Sequence, residues 1–111
     1  MLRIDKTDDG RCTVLMLDGE LSYDTSELLM RKVEEFKTGP DTHIVLDFGG
    51  VDFVDSSGAS ALLKIRNGAK SDLHIVLSSV PAGIQNTLQR LGVLDSYRVF
   101  RSSADAVLEL R

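Results

Sequence analysis

Asp55-Ser56-Ser57-Gly58 is the segment of this chain whose residue types can support chemistry. An acid, two hydroxyls and a glycine follow Phe53-Val54 and precede an Ala61-Leu62 stripe, so they stand where a strand gives way to a helix. In an open α/β sheet, the loop beyond a strand's carboxyl end is where ligands and reactive groups usually sit. The first turn of a helix has unpaired backbone N–H groups and the positive end of the macrodipole, so a phosphate placed there is stabilised. Ser57 falls one or two residues into that turn. Phosphorylation would add about 1.5 to 2 negative charges at a place suited to receive them. Gly58 carries no side chain beside that hydroxyl, which suggests room for another protein to approach. The plainer reading is that Asp55 or Ser56 caps the helix, as Asp and Ser commonly do. The two readings are compatible, since one residue can cap while its neighbour is modified.

Other chemistries fit less well. Acyl transfer by Ser57 needs a base within hydrogen-bond reach, itself oriented by a third group. His43 and His74 are the only histidines. His43 precedes one strand and His74 lies near the start of the next, which places both toward the sheet edge opposite Ser57. The Gly-x-Ser-x-Gly elbow is also absent. Asp47, Asp52 and Asp55 suggest an acidic magnesium pocket, but Asp47 is mid-strand, and Asp5, Asp8 and Asp9 do not end a first strand of a βαβ unit. Gly39-Pro40 and Gly49-Gly50 lack the Gly-Lys-Ser/Thr of a phosphate-cradling loop. Cys12 is the lone cysteine, so no internal disulfide forms, and with two separated histidines it cannot complete the usual zinc clusters. No cofactor or metal is expected, and no enzymatic activity.

The whole chain sets the scale. It has 111 residues, 42% of them apolar and 27% charged, with a net charge of −4. That length and composition predict one globular domain spanning 1–111. Net acidity argues against general affinity for nucleic acid or anionic membranes. The absence of Trp and the two Tyr argue against a stacking platform for single strands. No apolar run approaches the roughly 18 residues of a membrane span, and the first residues lack the apolar stretch of a signal peptide. A cytoplasmic protein with a reduced Cys12 is expected.

Strand-like and helix-like segments alternate. Residues 2–6 form a first strand, Asp8-Asp9-Gly10 a turn, and Cys12 to Leu17 a strand closed by Asp18-Gly19. Asp24 caps a first helix, with Glu27 completing an acidic capping box. Leu28, Leu29, Val33 and Phe36 form its buried stripe, Arg31, Lys32, Glu34 and Glu35 its wet side, and Gly39-Pro40 its end. Ile44–Phe48 suits a central strand; Gly49-Gly50 and Val51–Val54 follow. The helix opened by residues 55–58 buries Ala61, Leu62, Ile65 and Ala69. Leu73–Leu77 is a strand. Pro81 starts a third helix through Ile84, Leu88 and Leu91 to Gly92. Tyr97–Phe100 is a short strand. Ser102, with Asp105 three residues on, caps a last helix holding Val107 and Leu108. Met16 and Met30 read as core, Arg98 and Arg101 as solvated. This β-β-α-β-α-β-α-β-α order calls for an α/β fold: a mixed four- to five-stranded sheet, its first two strands antiparallel, with about four helices packed against it.

With these elements in place the chain resembles the sulfate-transporter and anti-sigma-factor antagonist (STAS) domain, in its stand-alone bacterial form. Leu17-Asp18-Gly19-Glu20-Leu21 is similar to the family's Gly-Glu-Leu-Asp segment. Val45-Leu46-Asp47-Phe48 followed by Val54-Asp55-Ser56-Ser57-Gly58 is similar to its most diagnostic stretch, and Gln89-Arg90-Leu91-Gly92-Val93 to the end of its third helix. The resemblance implies a phosphorylation switch in transcription regulation. An anti-sigma serine kinase phosphorylates the serine before the glycine, here Ser57, with Ser56 as runner-up. ATP and magnesium belong to the kinase. The unmodified form sequesters the kinase and frees sigma factor; the modified form lets go until a phosphatase resets it. Ser22, Asp24, Asp55, Ser56, Ser57, Gly58 and Ala59 are the expected partner-binding residues. Ser22 departs from the family, which usually has Asp after Gly-Glu-Leu, and Ala59 stands where a larger apolar residue is common.

Two further readings keep the fold. The domain acts as a non-switching adaptor in a lipid-transport or stress-signalling complex, or it binds a small ligand such as a nucleotide. No side chain in the loop specifies a base, which ranks the nucleotide last.

Overall fold

The computed structural model describes residues 1–9, 12–36, 43–68 and 74–110. Its strands are β1 (Leu2–Asp9), β2 (Cys12–Leu21), β3 (His43–Val54), β4 (Ile75–Ser78) and β5 (Val99–Phe100). Its helices are α1 (Ser26–Phe36), α2 (Ser56–Asn67), α3 (Ala82–Arg90) and α4 (Ser103–Leu110), with a short 3₁₀ turn at Leu94–Ser96. The five strands follow chain order across the sheet. β1 is antiparallel to β2, and every later neighbour pair is parallel. The expected mixed α/β sheet with four helices is present.

Sequential strand order puts the three crossover helices on one face, because each crossover turns with the same hand. Leu29 and Val33 of α1, Leu62 and Ile65 of α2, and Ile84 and Leu88 of α3 pack there on Leu15, Leu17, Ile44, Leu46, Phe48 and Leu77. The alternate strand residues face the other way. Val14, Val45 and Val76 form a smaller cluster with Cys12 and with Ala106 and Val107 of α4. Burial on both faces explains why these strands read as continuous apolar runs.

Several local expectations are corrected. β1 runs on through Asp8 and Asp9, which pairs with Cys12, and Thr13 Oγ1 donates to Asp8 Oδ1 at 3.2 Å. Asp18-Gly19 does not close β2; the strand passes through them to Leu21, shifting register against β3 between Met16 and Asp18 and again between Gly19 and Glu20. Gly19 makes this possible. Its φ is +119°, and a Cβ there would collide with the Met1 carbonyl oxygen. That carbonyl accepts from Glu20 N at 3.1 Å, which ties the start of β1 to the end of β2. β3 likewise continues through Gly49-Gly50 to Val54.

α1 starts at Ser26, not at an Asp24 cap. Leu28 is only half-buried, while Met30 packs against the core as expected. Met16, expected inside, is 41% exposed, and Leu108 is 64% exposed. Leu108 is a residue of α4, whose buried side is formed by Ala106 and Val107. Ser102 does cap α4, its Oγ accepting from Asp105 N at 3.1 Å. Gly10, Gly39-Pro40, Ala69 and Leu73 lie outside the described residues.

Candidate functional site

The carboxyl ends of β2 and β3 lie side by side, Leu21 pairing with Val54. From there one chain segment enters the turn Ser22–Thr25 and the other enters α2. Asp55 joins the two. Its φ of −105° and ψ of −176° are those of an N-cap, and its Oδ1 accepts from Gly58 N at 2.9 Å. Its Oδ2 accepts from Tyr23 N at 3.2 Å. Its own N–H donates to the Leu21 carbonyl at 3.2 Å. One residue therefore caps α2, tethers the neighbouring turn and hydrogen-bonds the end of β2.

The turn has its own internal brace, which the sequence reading missed. Thr25 is buried; its Oγ1 donates to the Glu20 carbonyl at 2.7 Å and accepts from Ser22 N at 2.9 Å. The Ser22 carbonyl in turn accepts from Ser26 N at 2.8 Å. Thr25 immediately precedes the helix, so it takes the position assigned to Asp24. Its hydroxyl is spent on the turn behind it, on Glu20 and Ser22, and makes no bond to the first turn of α1 among the described residues. Asp24 itself is exposed and makes no capping bond among the described residues.

Ser56 and Ser57 are the first two residues of α2. Ser56 is exposed and Ser57 half-buried, and neither hydroxyl has a hydrogen-bond partner among the described residues. Their backbone N–H groups belong to the unpaired first turn, where the macrodipole favours negative charge.

Gly58 and Ala59 were the other two residues expected at the partner surface. Both are buried. A Cβ on Gly58 would collide with the Leu21 carbonyl oxygen, so the glycine lets α2 press against β2. Ala59 packs into the main core. The outward residues are Ser22, Asp24, Ser56 and Ser57, joined by two the sequence did not flag: Tyr23, 78% exposed, and Phe53, 48% exposed. Beside Phe53 a groove of about 490 Å³ runs between the end of β3 and α3, lined by Val51, Val54, Ile84, Thr87 and Arg90.

The remaining candidates are placed elsewhere. His43 and His74 sit at the amino ends of β3 and β4, their rings 4.9 Å apart, with His74 N donating to His43 Nδ1 at 3.3 Å. The length of β3 separates them from Ser57. Asp47 accepts from Gly49 N at 2.8 Å and from Ser103 Oγ at 2.6 Å, so it anchors the start of α4. Asp55 is engaged in a separate network, and the two acids do not share a site. Among the described residues no three metal-ligating side chains converge, and no helix is long and apolar enough to cross a membrane.

Known proteins share this fold. An anti-sigma factor antagonist from Mycobacterium paratuberculosis superposes with a TM-score of 0.89 at 15% identity, covering 100% of this chain and 95% of that one. The murine solute carrier 26 family member A9 anion transporter gives a TM-score of 0.81 at 26% identity, covering 94% of this chain but only 18% of that one. The human putative solute carrier family 26 member 10P is 37% identical over 57 residues, 47% of this chain and 10% of that protein. The chain thus spans a tenth of the curated relative and under a fifth of the transporter. The family model for the STAS domain matches residues 3–106, and the chain belongs to the STAS-domain family.

Proposed function

We propose that this chain is an anti-sigma factor antagonist switched by phosphorylation of Ser57. In this reading residues 1–111 act as one cytoplasmic domain of a bacterial signalling pathway. Its partner is an anti-sigma factor with serine-kinase activity. The unmodified domain binds and sequesters that partner, and sigma factor is released. The kinase then transfers the γ-phosphoryl of ATP to Ser57 Oγ, ADP leaves, and the charged domain dissociates until a phosphatase removes the phosphate.

The observation that carries this reading is the state of Ser57. It is a half-exposed hydroxyl with no partner among the described residues, in the second position of a helix whose N-cap is fixed by Asp55. A dianion there meets unpaired N–H groups and a favourable dipole. The same charge changes the surface presented by Ser22, Tyr23 and Asp24, the turn that Asp55 holds alongside. The fold shared with anti-sigma factor antagonists supports the assignment.

The test is to incubate the chain with a cognate kinase and ATP and to map the modified residue by mass spectrometry. Phosphate is expected on Ser57. Ser57→Ala should abolish it and keep partner binding, and Ser57→Asp should weaken binding at least about tenfold, the effect of roughly 1.4 kcal/mol. Phosphate on Ser56, the more exposed hydroxyl, with Ser57→Ala behaving as wild type, would transfer the switch to that residue.

A second reading has its own support. The 37% match lies with a solute carrier relative, and a domain of that kind can serve as a constitutive adaptor in a transport complex. Equal partner affinity of wild type, Ser57→Ala and Ser57→Asp would select the adaptor.

A further inference from the structure

We propose that Asp55 is a positioning residue that carries a charge change at Ser57 across to the turn bearing Tyr23. This rests on Ser57 being the modified residue, and it adds a change of shape to the change of charge. One carboxylate serves two amides from separate segments: Gly58 N in α2 at 2.9 Å and Tyr23 N in the adjoining turn at 3.2 Å. The backbone around it has little freedom. Asp55 N is bonded to the Leu21 carbonyl, and Gly58 lies so close to Leu21 that even a methyl group would collide. The side chain of Asp55 is therefore the part that can respond.

A phosphate on Ser57 adds about 1.5 to 2 negative charges two residues from this carboxylate. Both anions then compete for the same first-turn amides, and they repel each other. Of the two Asp55 bonds, the one to Gly58 is shorter and partly buried, and the one to Tyr23 is longer and exposed to water. The Tyr23 bond is the weaker link and gives way first. The turn keeps its Thr25 brace, which holds Ser22 N, so the movement is local to Tyr23 and Asp24. Tyr23, which is 78% exposed, is the group that moves. Modification thereby withdraws an aromatic contact from the surface as well as charging it.

The chain has no tryptophan, so Tyr23→Trp provides a single indole fluorophore at the position that matters. Phosphoserine installed at position 57 during translation removes any need for a kinase. The expected result is a fall in the anisotropy of that indole and a shift of its emission when position 57 carries phosphoserine. Phosphoserine at position 60, exposed and one turn further along α2, should leave both unchanged. In an Asp55→Ser background the response to phosphoserine at position 57 should be lost, because serine can still cap α2 but is too short to hold Tyr23. If Asp55→Ser fails to fold by circular dichroism, Asp55→Asn gives the same comparison, since the two amides bind different oxygens of Asp55 and asparagine replaces one of those oxygens with an NH₂ donor. An unchanged indole signal on modification, or an equal response with and without Asp55, overturns the proposal. No kinase is in the sample, so a kinase that ignores Ser57 would defeat the switch reading and leave this measurement standing.

Discussion

Gly58 has a packing role that its residue type alone does not reveal. From sequence it marks a place without a side chain, and an incoming protein is one thing that such a place admits. In the fold the space is already filled by the Leu21 carbonyl. Contacts between segments far apart in the chain leave no local trace in sequence, so this use of the glycine was not legible. Gly58→Ala should destabilise the chain by about 1–3 kcal/mol or more, through overpacking against backbone that cannot relax, measured by urea denaturation; Gly83→Ala, where a Cβ meets nothing, should not. Tyr97 is a second case. It looked like a strand residue, yet it is buried ahead of β5 and its hydroxyl donates to the Leu62 carbonyl at 2.6 Å. Burial pushes its ionisation well above the ordinary tyrosine range, with Arg66 offsetting part of the effect. Below about pH 10 the phenol is protonated folded or unfolded. Above it the unfolded chain releases a proton that the folded chain retains, so stability must fall as pH rises further. Tyr97→Phe should lose about 1 kcal/mol at neutral pH and show less of that alkaline decline in melting temperature.

At the scale of elements, the order of strands and helices was legible because periodicity and caps are local signals. Of Asp55 and Ser56, the two residues that could cap α2, Asp55 is the cap, and Ser102 caps α4 as expected. Boundaries were missed where a bulge carries a strand through a turn-like sequence. Asp18-Gly19 and Gly49-Gly50 have the composition of turns, but ladder pairing with a neighbouring strand overrides that preference. Asp55→Ala should cost about 1–2 kcal/mol, the loss of a cap and a tether. Asp55→Ser should recover roughly the cap's share, and the difference in urea midpoint isolates the tether. Asp47 gives the corresponding test for α4. It was set aside as a mid-strand acid, and it proves to hold Ser103, which also shares a hydrogen bond with the fully buried Ser78 at 2.8 Å. Asp47→Ala leaves those hydroxyls short of an acceptor and should cost about 1–3 kcal/mol, with amide exchange rising first in α4.

For the molecule as a whole, the two faces of the sheet are unequally covered. Among the described residues three helices pack on one face and α4 on the other, and Met16 remains 41% exposed. Truncation after Arg101 should uncover Val14, Val45 and Val76, raise binding of a hydrophobic dye, and lower stability by several kcal/mol, at about 25 cal/mol per Å² of apolar area. The same geometry bears on any experiment that handles the protein. Met1 is held to Glu20 beside Gly19, at the end of the sheet from which the Ser22 turn departs. An affinity tag or fusion partner joined ahead of Met1 would emerge next to Tyr23 and Ser57 and crowd the surface they form. A weak interaction measured with such a fusion would report the tag, so the handle belongs after α4.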